Sequence, residues 1–366
     1  MKITCASRLD SEQTDQWRRL LAAAAHSHAE QDPCFADVHR ADGNEILFAM
    51  GWQGETLCAA GMFVMHPHPY IRGKYNYATA LSGPVCDDAG QMATFMELLA
   101  HDPAMRAVGV LRLTPYWLDE QATALAEVLT AKGWLPFETI AYRQTGIVDI
   151  SGSATEIAAR FNQTARRKLR KAERIDLVLK PVTTEEEALE FHASMNRHRA
   201  QRGLVSISWA RFATAFHNVY KPGELGVILV IRHAGRFVAG VVVHRGPKTA
   251  HFMHSTHEDA ILAELDDLRI APFLLLEAMK WANARECQLF DLEGFKLPLD
   301  SADELYNIYK YKTEFNPRLA SRLQGRQKII RPMIYLSGSA REIAKSWVRT
   351  YFKRVKVKKP RPTENA

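Results

Sequence analysis

The feature that most constrains this chain is an order of secondary-structure elements that occurs twice. In the first half, SEQTDQWRRLLAAAAHSHAEQ reads as a helix. The strands ILFAMGW and LCAAGMFVMH follow, joined by the turn QGET, and then the strand YNYATALSGPVCDD, which ends at Gly83-Pro84. A helix (GQMATFMELLAHD), a strand (AVGVLRLTPYW), a second helix closed by Gly133 and the strand ETIAYRQTGIVDI complete the half. The second half opens with a basic helix over 153–174, the strand LVLKPV and the helix TEEEALEFHASMNRHRAQRG. A meander of VILVIRH, FVAGVVVH and TAHFMHST leads to a helix begun at Pro272, the strand QLFDLEG and a helix opened by Ser301-x-x-Glu304. Each half thus runs helix, antiparallel meander, helix, strand, helix, strand. Such alternation predicts α/β architecture, and its recurrence predicts duplication of one unit. The expected division is 1–150, 151–335 and a basic amphipathic tail over 336–366.

The 366 residues suffice for two cores of ordinary size. The most apolar runs are strand-length and interrupted by Arg232, His233 and Arg236, well short of the roughly 20 residues a membrane-spanning helix needs. MKITCASRLDSEQ has no apolar core for a secretory signal, so a cytoplasmic location is expected. Five scattered cysteines without a CxxC pair point to inert thiols rather than a zinc site or disulfide framework.

Charge is distributed unevenly. The net charge is +7, yet from Arg326 onward twelve Lys or Arg face only Glu342 and Glu364. A basic tail on a nearly neutral body suggests a polyanionic partner. A second basic cluster, RFNQTARRKLRKAER at 160–174, contains Arg166, Arg167, Lys168, Arg170, Lys171 and Arg174. At helical spacing Arg160, Arg167, Lys171 and Arg174 share a face, with Arg166 and Arg170 beside them. Like charges so close repel, so an anionic partner rich in phosphate is expected there. In the tail, Ile343, Trp347, Val348, Tyr351 and Phe352 form an apolar stripe among basic residues. Such a segment packs on its own protein and offers charge to RNA, or lies on an anionic membrane surface; packing is the favoured expectation.

The segment FDLEGFKLPLDSADELYNIYKYKTEF carries the candidate chemistry. Asp291 and Glu293, two apart on a strand, are expected to share a face, where repulsion raises one pKa and makes a base for an amine. Lys312 could stabilise developing negative charge. A Gly-rich loop that would hold the pyrophosphate of an acyl-CoA is missing: Arg269-Ile270-Ala271-Pro272 replaces it, and Pro272 has no N–H to offer. Coenzyme A is therefore not expected. On TAHFMHST, strict alternation puts His251 and His257 on one face and His254 on the other, so no three-histidine metal site is expected, and His254 is a candidate cleft residue.

GPVCDD at 83–88, LRLTP at 111–115, QTGIVDI at 144–150, ARRKLRKAERIDLVL at 165–179, HRAQRGL at 198–204, FDLEG at 290–294 and YKTEF at 311–315 occur in an order that resembles the Fem-type aminoacyltransferases, which build peptidoglycan bridges, and their acetyltransferase-like relatives. The resemblance implies two acetyltransferase-like (GNAT-like) domains in tandem, with mixed, mostly antiparallel sheets flanked by helices. It implies transfer of an amino acid from aminoacyl-tRNA to an amine of a cell-wall precursor, peptide or small metabolite. No cofactor or metal is implied, and contact with the inner face of the membrane is allowed. By the same resemblance Tyr311 and Lys312 match the family's Phe-Lys pair at the tRNA acceptor end, and Arg202 matches an arginine linked to substrate phosphate. Arg199, Asp87 and His254 complete the expected substrate-binding set. The chain departs from the family's pattern at Glu293, where a glycine is usual, and at Ser82, where an arginine often precedes Gly-Pro-Val. Two other readings stand beside this one: an acyl-CoA-dependent N-acyltransferase, and a non-catalytic module that binds RNA or membranes.

Overall fold

The computed structural model describes residues 1–137, 144–303 and 305–338. Fourteen strands are described: β1 (Lys2–Ala6), β2 (Glu45–Gln53), β3 (Thr56–Pro67), β4 (Tyr75–Ala80), β5 (Val108–Leu113), β6 (Leu135–Pro136), β7 (Gln144–Asp149), β8 (Val178–Pro181), β9 (Gly226–His233), β10 (Arg236–Arg245), β11 (Thr249–His257), β12 (Leu289–Asp291), β13 (Arg318–Ser321) and β14 (Arg326–Ile329). They form two seven-stranded sheets, ordered β1-β2-β3-β4-β5-β14-β6 and β13-β7-β12-β11-β10-β9-β8.

Read from β1 and from β8, the two sheets have the same plan. Four antiparallel strands are followed by a helix, Ala89–His101 or Ala271–Asn283, that returns the chain to a parallel fifth strand, β5 or β12. A parallel neighbour requires such a crossover. The sixth place in each sheet is filled from the other half of the chain. Strand β14 pairs with β5 and β6 in the first sheet, whereas β7 pairs with β12 and β13 in the second. Residues 144–149, expected at the end of the first unit, therefore lie in the second sheet. The two units also share a hydrophobic core that runs from Trp17 and Phe48 to Phe191, Phe216 and Val242.

Local signals account for the helix starts. Asp10 caps Ser11–Ala23 in a capping box with Gln13, Asp88 caps Ala89–His101, and Thr184 caps Glu185–Gln201. Two expectations are corrected. The basic segment 153–174 is two helices, Ala154–Arg160 and Gln163–Ala172, because Asn162 adopts an extended conformation and caps the second through the Ala165 N–H. Arg160 accordingly leaves the basic face and donates to the carbonyls of Asp149 and Ser151. The helix expected from Ser301 begins only at Tyr306 and ends at Lys312, with Leu305 at its N-cap; Glu304 lies outside the described residues. The apolar stripe of the tail, from Ile343 onward, also lies outside them.

Candidate functional site

Strands β11 and β12 pair only from Thr249 to His251 against Leu289 to Asp291. The pairing stops at His251 and Asp291, where β12 ends, and Lys312 ties the helix Tyr306–Lys312 to the chain after β12. A cleft of about 140 Å³ opens there. Its walls are Met195, His198, Arg199, Arg202 and Leu204 on one side, Phe252 to Ser255 of β11 on another, and Ile308, Tyr311 and Lys312 on the third. Four consecutive residues of β11 reach the cleft because the strand bulges. His254 pairs with Val242 and Phe252 with Val243, so the register skips Met253. The bulge ends the strict alternation expected for this strand and brings His254 into the cleft wall.

Lys312 is 5% exposed and donates to the backbone carbonyls of Glu293 at 2.9 Å and Gly294 at 2.8 Å. An ammonium has three N–H donors, so one remains for a ligand. Burial lowers its pKa to about 8, against the opposing pull of Glu293 and Asp291. Arg199 uses its Nε on the Val205 carbonyl, and neither it nor Arg202 has a carboxylate partner among the described residues. His198 and His254 are each lowered to about 4, by burial first and then by Arg202 and Arg199 respectively. Both imidazoles are therefore neutral near pH 7. Among the described residues no Asp or Glu lines the cleft with Arg199, Arg202 and Lys312, which suits it to a phosphate or carboxylate. Tyr311 sits in the same wall, with burial pushing its hydroxyl pKa up.

The carboxylates are arranged differently from the expected shared strand face. The strand ends at Asp291, and Glu293 turns into the left-handed region at φ 55°. Neither side chain lines the cleft. Asp291 is fully buried, and its two oxygens accept from the Thr145 hydroxyl, the Tyr116 hydroxyl at 2.7 Å and the Glu293 N–H at 2.7 Å. Burial, reinforced by Glu293, pushes its pKa up to about 6. Glu293 takes Arg322 on one oxygen at 2.6 Å and the Nδ1–H of His251 on the other at 3.0 Å. Burial opposes its charge, but Arg322 and the histidines outweigh that and hold it well below the usual carboxylate range. The two groups form the floor beneath Lys312, with Tyr116 arriving from the first unit and Arg322 from beyond β13.

His28, His251 and Glu293 are the one trio among the described residues close enough to share a metal ion. The protonation pattern favours a hydrogen-bond network instead. His28 Nδ1 accepts the Glu30 N–H at 3.1 Å, which leaves its proton on Nε2, the atom facing Glu293 at 3.7 Å. A ligating histidine has the reverse pattern, donating from its outer nitrogen.

Of the remaining expected residues, Asp87 accepts the Ala25 N–H at 2.8 Å, holding the chain after the first helix, and is not in the cleft. Arg166, Arg167, Arg170, Lys171 and Arg174 are exposed along or just after the helix Gln163–Ala172. Lys171 pairs with Asp266 at 2.6 Å. Lys168 pairs with Glu314 at 2.5 Å, and the Asn162 N–H meets the Glu314 carbonyl. The two contacts with Glu314 tie the basic helix to the turn that follows Lys312. Sequence reasoning missed Tyr116, Thr145, His28 and Arg322; Tyr116 and Thr145 fall next to or within the LRLTP and QTGIVDI segments, but no spacing rule connects them with Asp291.

No curated protein matches the chain in sequence. A family model described as "Acetyltransferase (GNAT) domain" matches residues 159–312. Among solved structures, FemX is similar with a TM-score of 0.78 at 11% identity, over 92% of this chain and 99% of that one. A tandem GNAT protein from the clavulanic acid biosynthesis pathway gives 0.53 at 14% identity, over 90% and 99%. The C-terminal domain of a putative lysylphosphatidylglycerol synthetase from Agrobacterium fabrum gives 0.52 at 13%, over 92% and 96%. The structural likenesses agree with the doubled sheet plan, and the acetyltransferase domain match supports a transferase enzyme. The chain has the tandem acetyltransferase-like fold seen in FemX, and its second unit carries the acetyltransferase (GNAT) domain match.

Proposed function

We propose that the protein is an aminoacyltransferase that moves an amino acid from aminoacyl-tRNA to the amine of an acceptor bearing an anionic group. The observation that carries this reading is the cleft in which Arg199 and Arg202, beside Lys312, have no carboxylate partner among the described residues, close to a helix of exposed arginines. The acceptor amine attacks the ester carbonyl, a C–N bond forms, and the terminal ribose oxygen of the tRNA leaves with the proton the amine gives up. The free N–H of Lys312 faces the negative charge that develops on the carbonyl oxygen. Arg199 and Arg202 hold the acceptor's phosphate or carboxylate, and Arg166, Arg167, Arg170 and Arg174 meet the tRNA backbone. Asp291 and Glu293 act from below, by fixing the carbonyls that orient Lys312.

Incubating the protein with mixed charged tRNAs and a pool of amine acceptors, followed by mass spectrometry, tests the reading through the mass of one amino acid added to an acceptor. Arg202→Ala is expected to raise the KM for that acceptor by roughly 10- to 100-fold, the scale of one hydrogen bond to a charged group, with a smaller effect on kcat. No transfer from any charged tRNA would sink it.

The acetyltransferase domain match favours a second reading, an acyl-CoA-dependent N-acyltransferase. Pro272 lies in the first turn of Ala271–Asn283, where a pyrophosphate would need backbone N–H groups. Calorimetry with millimolar coenzyme A is expected to show no saturable heat, and micromolar binding would put the second reading first.

A further inference from the structure

The loop after β3 and the helical segment 332–338 are joined by one histidine. His68 Nδ1 accepts the N–H groups of Tyr70 at 3.1 Å and Ile71 at 2.9 Å. Its Nε2–H is thereby left to face the Ile334 carbonyl at 3.2 Å and Ser337 Oγ at 3.0 Å. Four large apolar side chains on these two adjacent stretches are exposed: Tyr70 at 63%, Ile71 at 41%, Met333 at 82% and Leu336 at 53%. Single exposed apolar residues are ordinary, but a group of four on segments bound to each other marks an interaction surface. Cations accompany them, with Arg72 exposed and Lys74 and Arg331 half-buried. From Gly338 the chain passes directly into residues 339–366, which contain nine Lys or Arg against Glu342 and Glu364.

We propose that this face is a docking surface for an anionic lipid bilayer. Aromatic and aliphatic side chains ringed by lysine and arginine suit the headgroup boundary, where the apolar part enters and the cations meet lipid phosphates. Charge decides among the occupants. The chain's own tail has an apolar stripe that could meet these side chains, but it would also bring nine cations against Arg72, Lys74 and Arg331, whereas an anionic surface satisfies both sets together. A nucleic acid backbone would satisfy the charges but leave Ile71, Met333 and Leu336 without an apolar environment. The face lies on other elements than the cleft, so this proposal does not depend on the reaction assigned to it.

Full-length protein would be sedimented with vesicles of phosphatidylglycerol mixed with phosphatidylcholine, and with vesicles of phosphatidylcholine alone. Binding is expected to the mixed vesicles and to be largely absent from the neutral ones. The combined variant Ile71→Ser, Met333→Ser, Leu336→Ser should bind the mixed vesicles at least about tenfold more weakly, because insertion scales with buried apolar area. Its melting temperature should stay close to that of the parent protein, as the replaced side chains are exposed. A second variant, Arg72→Glu with Lys74→Glu, should weaken the same binding without touching the apolar group. Failure of the parent protein to sediment overturns the proposal, as does undiminished vesicle binding by both variants. A variant that loses tRNA affinity rather than vesicle affinity shows the face to be a nucleic-acid surface. A lowered melting temperature with no vesicle binding by the parent shows that the chain covers the face itself.

Discussion

The ammonium of Lys312 is held 2.9 Å from the backbone carbonyl of Glu293, a residue forced into the left-handed region. That conformation costs a β-carbon-bearing residue on the order of 1–3 kcal/mol and persists where its surroundings over-determine it. Here Arg322 and His251 fix the side chain and Asp291 fixes the N–H. The carbonyl of Glu293 is thus a rigid acceptor, and the lysine it holds points its remaining donor to the cleft. Lys312→Ala is expected to cut turnover by about 100-fold or more, the scale of losing one oxyanion donor. It also strands two carbonyls beneath a buried side chain, so a stability loss of about 1–3 kcal/mol should accompany it. Single-turnover kinetics on protein shown folded by circular dichroism separates the two effects, and near-parental turnover would remove Lys312 from the chemistry.

The same lysine predicts a pH limb. Its folded pKa is lowered to about 8 from 10.5 by burial, so it is protonated below that value and loses its charge as pH rises through it. Turnover that relies on the ammonium should therefore fall above pH 8. Lys312→Arg keeps the charge at every pH, because guanidinium titrates above about 12. The variant will be slower, its donors being differently placed, but its profile should lack the limb near pH 8. An unchanged limb in the arginine variant would assign that titration to another group.

Part of the architecture was readable from pattern alone, because Gly133 and Pro272 state their helix boundaries locally, and the structure adds the caps at Asp10, Asp88 and Thr184. The exchange of β7 and β14 between sheets was not readable, since QTGIVD carries the same apolar pattern whichever sheet receives it. The cap at Asn162 was hidden inside a basic run that looks continuous at helical spacing. His254 was weighed by strict alternation, which fails where the register skips Met253. The polar floor is the least legible part. Asp291 is defined by Tyr116 and Thr145, 175 and 146 residues away in the chain, and their pairing exists only once the chain has folded.

Glu293 and Arg322 make a further prediction, about stability. They form a largely buried pair at 2.6 Å, with side chains 22% and 17% exposed. Removing one partner of such a pair leaves a charge without compensation and costs roughly 3–5 kcal/mol. Arg322→Met should reach that range, and Glu293→Gln should approach it. The folded pKa of Glu293 is held below its unfolded value, so its contribution is present above the unfolded pKa and fades as pH falls through the folded one. The gap in urea midpoints between the parent protein and Glu293→Gln should therefore narrow as pH falls from 7 to 3. A constant gap over that range would mean that the pair contributes through packing and not charge.

The basic helix gives the last prediction, and it tests the donor. Arg166, Arg167 and Arg170 are exposed and have no anionic partner among the described residues, so neutralising them removes little from the fold. Lys168 differs, because its bond to Glu314 anchors the turn after Lys312. Each arginine that neutralises a tRNA phosphate contributes roughly 0.7 to 0.9 to the slope of log affinity against log salt. Arg166→Ala with Arg170→Ala should therefore weaken tRNA binding at low salt and flatten that slope by about one to two, leaving the melting temperature near the parent's. Lys168→Ala should instead lower turnover more than affinity, since it loosens the helix that carries Lys312. Fluorescence anisotropy with labelled tRNA across a salt series measures the slope directly. If the double variant keeps the parental slope, these arginines do not meet the tRNA backbone, and the helix is a solvated face of the second unit.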